Sequence, residues 1–409
     1  MNPILAGQLS TVHSSDEVLQ VGAVDRYLDL VSGMVSLDIL IMGWNEKPDL
    51  FEHFTHPASR KSNQVYLWYP FLSDYPSMAK NHLVVKMDGQ KSHGWAGYAG
   101  TGINESFQQA CPNNPLAVST ALQHLERLMN AYNFDGVFID KIRYPSPANG
   151  FNELFTCFCQ HCTVKAAQYD LDLQEVKFRL RDVNSLRKSL QVESFSREKA
   201  WQDQLTVIHP ILQRFMNFRM ASINRVLIDI NFMLKKIDKK LALDVFSPSL
   251  APLVGQDFEF MSTIAEWVKP MIYRFGHGPS SLRSEIPALV NGLSAYLGLE
   301  PAKVTQSIAR YINGLQNIPL EEIAKIAPLS LIQAETGLAV KQLSGTQVYL
   351  GLETVHIPQK MEIKPQDIEE ILKIGSNSGV SGYVLSWDLL HTPINNLAPL
   401  KSLNIIHGG

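Results

Sequence analysis

The stretch FDGVFIDKIRYPS, Phe134 to Ser146, decides the fold. Its first half is a short apolar run through Val137, Phe138 and Ile139 that ends on a carboxylate, Asp140. Its second half is polar and stops at Pro145. Ahead of it lies ALQHLERLMNAYN, residues 121–133, whose apolar residues recur three and four apart and predict a helix. A helix leading into a short, almost wholly apolar strand is one unit of a parallel sheet covered by helices on its face.

The same unit recurs on both sides. Strands are predicted at 35–44 (VSLDILIMGW), 64–71 (QVYLWYPF), 135–140 (DGVFID), 241–246 (LALDVF), 267–273 (WVKPMIY), 348–353 (VYLGLE) and 382–387 (GYVLSW). HLVVKM, 82–87, is the eighth candidate. Pro270 weakens the fifth of these, because proline donates nothing to a ladder. The expectation is an α/β fold, a (β/α)8 TIM barrel. Its 409 residues exceed the roughly 250 a bare barrel needs. The surplus falls in two helix-rich, charged insertions, at about 163–235 and 280–345. Residues 1–30 are expected to form an N-terminal extension, 31–400 the barrel and 401–409 a C-terminal tail.

Hydrophobic residues make up 45% and charged residues 18%, which suits a globular chain with a large core. The net charge of −3 leaves no basic footprint for nucleic acid or an anionic membrane. MNPILAGQLSTVHSSDE lacks the basic and long apolar regions of a secretory signal, and no run reaches the roughly 18 apolar residues of a spanning helix. A cytoplasmic location without nucleic-acid or membrane partners is expected. The insertions offer either a homo-oligomer interface or walls for a small pocket.

Four cysteines are present, and three fall in CFCQHC: Cys157, Cys159 and Cys162. Thiols this close can converge on one ion at about 2.3 Å each. Cys111, in ACPNNP, is the remaining cysteine and the expected fourth ligand, with His161 as its substitute. Four thiolates leave no position for water, so the expected Zn2+ is structural.

In such barrels chemistry sits at the C-terminal ends of the strands. Asp140 is the first catalytic candidate, held at a strand end beside Lys141 and Arg143, whose charges favour its ionised form. Glycosidic hydrolysis uses two carboxyl groups, and Glu353 at the end of VYLGLE is the expected partner. Asp244 is its rival, or else an interior residue paired with Lys141 or Arg274. Trp44, Tyr69, Lys141, Arg143, Tyr144, Asp244, Tyr273, Arg274, Trp387 and Asp388 complete an expected rim of substrate-binding groups. Carboxylates, cations and aromatic faces together suit a carbohydrate. Asp38, within an apolar run, is read as interior or at the floor of the site.

FDGVFIDKIRYPS resembles the fourth-strand signature of the hypothetical glycoside-hydrolase-like barrels, and VGQDFEFMSTIAEWVKPMIY, 254–273, resembles a second stretch of the same group. The order Cys111 then CFCQHC is similar to the zinc-holding cysteine cluster of family 42 β-galactosidases. The resemblance covers roughly Val35 to Asp388. It implies a retaining glycoside hydrolase, with acid/base and nucleophile ending strands four and seven, at Asp140 and Glu353. Those relatives carry Asn-Glu where this chain has Ile139-Asp140. The shorter aspartate also fits a nucleophile, with the acid on another strand. Two other functions share the fold: a carbohydrate-binding scaffold without chemistry, and another carbohydrate-active class of enzyme.

Overall fold

The computed structural model describes residues 2–95, 97, 105–191, 210–316, 318–357 and 361–404. Eight parallel strands close into a barrel in sequential order. They are β1 (Ile4–Ser10), β2 (Ile39–Gly43), β3 (Gln64–Pro70), β4 (Gly136–Asp140), β5 (Lys240–Phe246), β6 (Trp267–Met271), β7 (Gln347–Glu353) and β8 (Gly382–Ser386). The expected TIM barrel is therefore the fold, and Asp140 and Glu353 end its fourth and seventh strands.

Two expectations fail. Residues 1–30 are not an extension, because β1 lies there and pairs with both β2 and β8 to close the sheet. Its sequence, ILAGQLS, hides this. The inward residues Ala6, Gln8 and Ser10 are small or polar, and only Leu5 and Leu9 join the outer core. Gly7 faces outward, where a Cβ would come within 2.7 Å of Leu389. HLVVKM, in turn, is not a barrel strand. It lies in the connection after β3 and makes isolated bridges, Leu83 with Ala110 and Val85 with Lys91. Leu83 and Val84 are buried, and Val85 and Met87 partly buried, by that excursion instead of by the sheet.

The barrel interior is layered. Tyr66, Phe138, Trp267 and Tyr349 stack across its middle, with Trp267 5.1 Å from Phe138 and 4.9 Å from Tyr349 between ring centres. Above them lies a polar layer. Lys269 Nζ donates to Asp244 at 2.9 Å and Gln8 at 3.0 Å, and the Ser386 hydroxyl donates to Gln8 at 3.0 Å. Asp38 belongs to the opposite end of the barrel. It precedes β2 and accepts the Leu5 amide at 2.9 Å, so it is no part of the site floor.

Helices α1 (Val21–Ser32), α2 (Pro48–Thr55) and α3 (Pro115–Ala131) follow the first three strands. Asn114 starts α3, its side chain accepting the Leu116 and Ala117 amides ahead of a first-turn proline. The first expected insertion holds α4 (Gln160–Ala167), α5 (Leu173–Arg181), α6 (Val183–Gln191) and α7 (Pro210–Lys236); its residues 192–209 lie outside the described residues. The second holds α8 (Leu282–Leu297), α9 (Pro301–Ile308), α10 (Leu320–Lys325) and α11 (Leu329–Gln342), and α12 (Pro365–Ser378) precedes β8. Residues 405–409 of the expected tail also lie outside the described residues. No described helix is long and apolar enough to cross a membrane.

Candidate active site and metal centre

A cleft opens at the C-terminal mouth of the barrel. Trp44, Trp68, Phe107, Tyr273 and Trp387 form much of its wall. Its acidic, basic and histidine residues are His13, Glu105, Asp140, Lys141, Arg143, Asp244 and His277. The turn after β6, Gly276 to Ser281, closes one side. The cavity holds about 70 Å³, room for one end of a ligand.

Backbone geometry marks the mouth. Lys141 has φ of +53° and Trp44 of +112°, rare for residues with a Cβ and common where a site over-determines the chain. Gly43 allows the approach beside Trp44, since a Cβ there would lie 2.5 Å from the Trp68 carbonyl oxygen. The Ser386–Trp387 peptide is cis, and Trp387 faces the cleft.

Lys141 Nζ bonds Asp74 at 2.6 Å and Glu105 at 3.1 Å, between the rings of Trp44 (4.4 Å) and Phe107 (4.0 Å). His13 Nε2 meets the other Glu105 oxygen at 2.6 Å. Burial works to raise both the Asp74 and Glu105 carboxyls, but Lys141 holds each below its usual range. In this cluster Lys141 offsets the charge of the two carboxylates it bridges.

The remaining two carboxyls of the cleft behave differently. Burial raises Asp140, against the pull of Lys141 and Lys269. Its oxygens accept the Lys141 amide at 2.5 Å and the Trp68 indole N–H at 3.1 Å. Burial pushes Asp244 further, up to about 7, helped by the neighbouring Asp140 charge and opposed by Lys269. One Asp244 oxygen takes Lys269 and the other has no partner. Asp244 thus pairs with Lys269, not with Lys141 or Arg274.

Asp140, Trp44, Lys141, Arg143, Asp244, Tyr273 and Trp387 are brought together at the cleft as expected from sequence. Five expected residues are not. Tyr69 points outward, its hydroxyl donating to the Ala121 carbonyl at 3.0 Å on α3. Tyr144 is buried behind the β4 loop under Arg219, 4.4 Å from its ring centre. The Arg274 side chain turns to the helices, donating to Ala327 at 3.1 Å and Glu370 at 2.8 Å. Asp388 accepts the Ser10 amide at 3.2 Å and meets His391 at 2.8 Å, tying β8 to β1. Glu353 accepts the amides of Arg274 (2.6 Å), Phe275 (2.9 Å) and Gly276 (2.5 Å), so both oxygens hold the turn after β6 rather than line the cleft.

Sequence reading passed over Trp68, His13, Glu105 and Phe107. Strand parity would have found Trp68, which shares its face with Tyr66. No local signal marks the other three, which enter from connections.

The four cysteine sulfurs lie within 4.8 Å of one another, at 3.6 Å for Cys111 with Cys159 and 3.4 Å for Cys111 with Cys162. No disulfide joins them. Zn–S bonds of about 2.3 Å in a tetrahedron put sulfurs about 3.8 Å apart, so the set fits a tetrathiolate ion. Donors already point at the sulfurs: the Val85 amide to Cys157 (3.2 Å), the Cys162 amide to Cys159 (3.4 Å) and the Asn113 side chain to Cys162 (3.4 Å).

No protein-family model and no curated sequence matches the chain. Among solved structures it is similar to the glycoside hydrolase domain of PgaB (BpsB) from Bordetella bronchiseptica. The TM-score is 0.58 and the identity 11%, over 99% of this chain and 98% of that one. It is also similar to the catalytic domain of β-amylase from Paenibacillus polymyxa, with a TM-score of 0.52 and 9% identity over 100% and 99%. Identities this low establish the shared barrel and nothing finer.

Proposed function

We propose that the protein hydrolyses a glycosidic bond at the mouth of its barrel, with Asp140 and Asp244 as the carboxyl pair. The observation that carries this reading is the contrast between two carboxyls on adjacent strands, Asp140 at the end of β4 and Asp244 within β5. Asp140 has donors on both oxygens, which oppose the rise that burial imposes and suit a nucleophile or base. Asp244 sits near neutrality with one oxygen unengaged, which suits a general acid. Trp387 and Tyr273 supply apolar faces for a sugar ring, and Arg143 a donor for its hydroxyls. The carbohydrate-active names of the two similar structures support a carbohydrate as the substrate class. In the same reading Cys111, Cys157, Cys159 and Cys162 hold one structural zinc, which braces the loops behind the site and takes no part in the chemistry.

The test is turnover of aryl α- and β-glycosides and oligosaccharides by the wild type, Asp140→Asn and Asp244→Asn. Each variant is expected to lose roughly a hundred- to ten-thousand-fold in kcat. The wild-type rate should fall as pH rises through about 7, where Asp244 gives up the proton it must donate. Retention, which the resemblance implies, is read from the anomer formed first. Full activity in either variant would remove that residue from the pair. Sugar binding without turnover in the wild type would identify a binding scaffold.

A further inference from the structure

Arg219, on α7, has no exposed side-chain surface. Its guanidinium donates to the carbonyls of Leu253 (2.9 Å) and Leu154 (3.0 Å), and its Nε has no partner. The rings of Tyr144 and Phe215 lie 4.4 Å and 5.8 Å away. Burial lowers its pKa to about 10, which leaves it charged at neutral pH. A charge buried this deeply is strongly disfavoured without a counter-charge. Among the described residues no carboxylate forms an ion pair with it. The ionisable groups acting on it are the Tyr144 hydroxyl and the thiols of Cys157 and Cys162.

The cysteine cluster has the opposite deficit. A divalent ion with four thiolates carries a net charge of about −2. The amides and the Asn113 side chain that reach the sulfurs bring dipoles and no charge. Helix α7 reaches the cluster through Asn113. The Asn113 side chain that donates to Cys162 also donates to Ser222 at 2.9 Å, and Ser222 lies one turn beyond Arg219. Lys177 stands 5.0 Å over the Phe158 ring, half-buried, where water screens it.

We propose that Arg219 is the counter-cation of the tetrathiolate centre and, through the Tyr144 ring, clamps the β4 loop to it. This rests on the zinc reading above. Tyr144 follows Asp140 by four residues, and its amide donates to the Val254 carbonyl at 2.9 Å. Gly255, at φ of +79°, keeps that contact open, since a Cβ there would lie 2.9 Å from the Tyr144 ring. The metal, the guanidinium and the loop bearing Asp140 thus form one packed unit.

The experiment compares the full-length wild type, Arg219→Lys and Arg219→Gln, prepared reduced with zinc. Zinc content and competition with a chelator of known affinity are measured, with melting curves before and after chelation. Arg219→Gln, which keeps hydrogen-bonding capacity and loses charge, is expected to weaken zinc retention about 10-fold or more. Arg219→Lys should stay closer to the wild type. Arg219→Gln should also lower the melting temperature of the zinc form and leave the chelated form unchanged. Equal zinc retention, or equal losses in both forms, would make Arg219 a carbonyl clamp and overturn the proposal. A wild type that binds no zinc would overturn the zinc reading, and this inference with it. Should Arg219→Gln not fold, it is made in a Cys159→Ser background, where no tetrathiolate forms. A double variant as stable as Cys159→Ser alone supports the counter-ion role, and one markedly less stable than that single variant refutes it.

Discussion

Glu335, on α11, has no exposed surface and forms no ion pair among the described residues. Its oxygens accept the Ser249 amide, at 3.0 Å, and the Ser249 hydroxyl. Burial pushes its carboxyl up to about 7, and these two donors pull back only part of the way. A carboxyl raised on folding binds its proton more tightly in the folded than in the unfolded chain. Its contribution is therefore full below its ordinary range and is lost as pH rises through about 7. From the ordinary value of 4.5 that shift corresponds to roughly 3 kcal/mol. Glu335→Gln keeps an acceptor for Ser249 and cannot ionise. Its melting temperature relative to the wild type should climb by a few degrees between about pH 5 and pH 8. Circular dichroism melts across that range check this, and a flat difference would show that Glu335 ionises normally. Neighbours in sequence can also differ in task. Trp68 and Tyr69 stand side by side on β3, yet the first faces the cleft and the second faces α3. Both are aromatic and near a strand end, so composition alone cannot separate them; the two-residue period of a strand does.

At the scale of elements, the strand ends are joined by carboxylates that accept amides from connections elsewhere on the rim. Asp388 does this for β1, Glu285 for the β4 loop through the Ala148 amide (2.8 Å) with the Ser146 hydroxyl beside it (2.7 Å), and Glu353 for the turn after β6. Glu353 was the natural partner for Asp140 in sequence, since it ends the seventh strand. A strand-end position fixes where a residue sits, but not whether its oxygens are free. Glu353→Ala would leave three amides of one turn without their acceptor, at about 1–3 kcal/mol each where burial is complete. The expected result is a melting temperature lower by several degrees and a KM raised more than kcat is lowered, because the wall from Gly276 to Ser281 loosens. Glu353→Gln should do much less. Loss of turnover in Glu353→Gln equal to that in Asp140→Asn would restore Glu353 as a reacting carboxyl.

At the scale of the whole molecule, the cysteine cluster joins segments that the chain order keeps apart. Cys111 precedes α3, Cys157 to Cys162 follow β4, and HLVVKM runs between them, its Val85 amide on Cys157 and its His82 carbonyl accepting the Cys111 amide at 2.8 Å. The bound zinc of our reading would link all three to α7. Removing it by chelation under reducing conditions, or by Cys159→Ser, is expected to lower the melting temperature substantially, since metal-binding energy becomes folding energy. Zinc readdition should restore the chelated wild type and not the variant. Identical melts with and without chelator would end the structural-zinc reading.

What the sequence by itself determined was periodic or local. The apolar runs of β2 to β8 and the helices between them specified the barrel, and the tight cysteine triplet specified one cluster. Asp140 was placed because a strand and its end are read from a dozen consecutive residues. Tertiary structure decided the rest. β1 is a strand because β2 and β8 flank it, not because ILAGQLS favours one. HLVVKM has the composition of a strand and finds no edge to join, since the closed sheet has none. Asp244 is held by Lys269, and Glu353 is a loop anchor, through hydrogen bonds to residues 25 and about 80 positions away. Such bonds depend on where the closed barrel brings distant segments together, and no period along the chain encodes them.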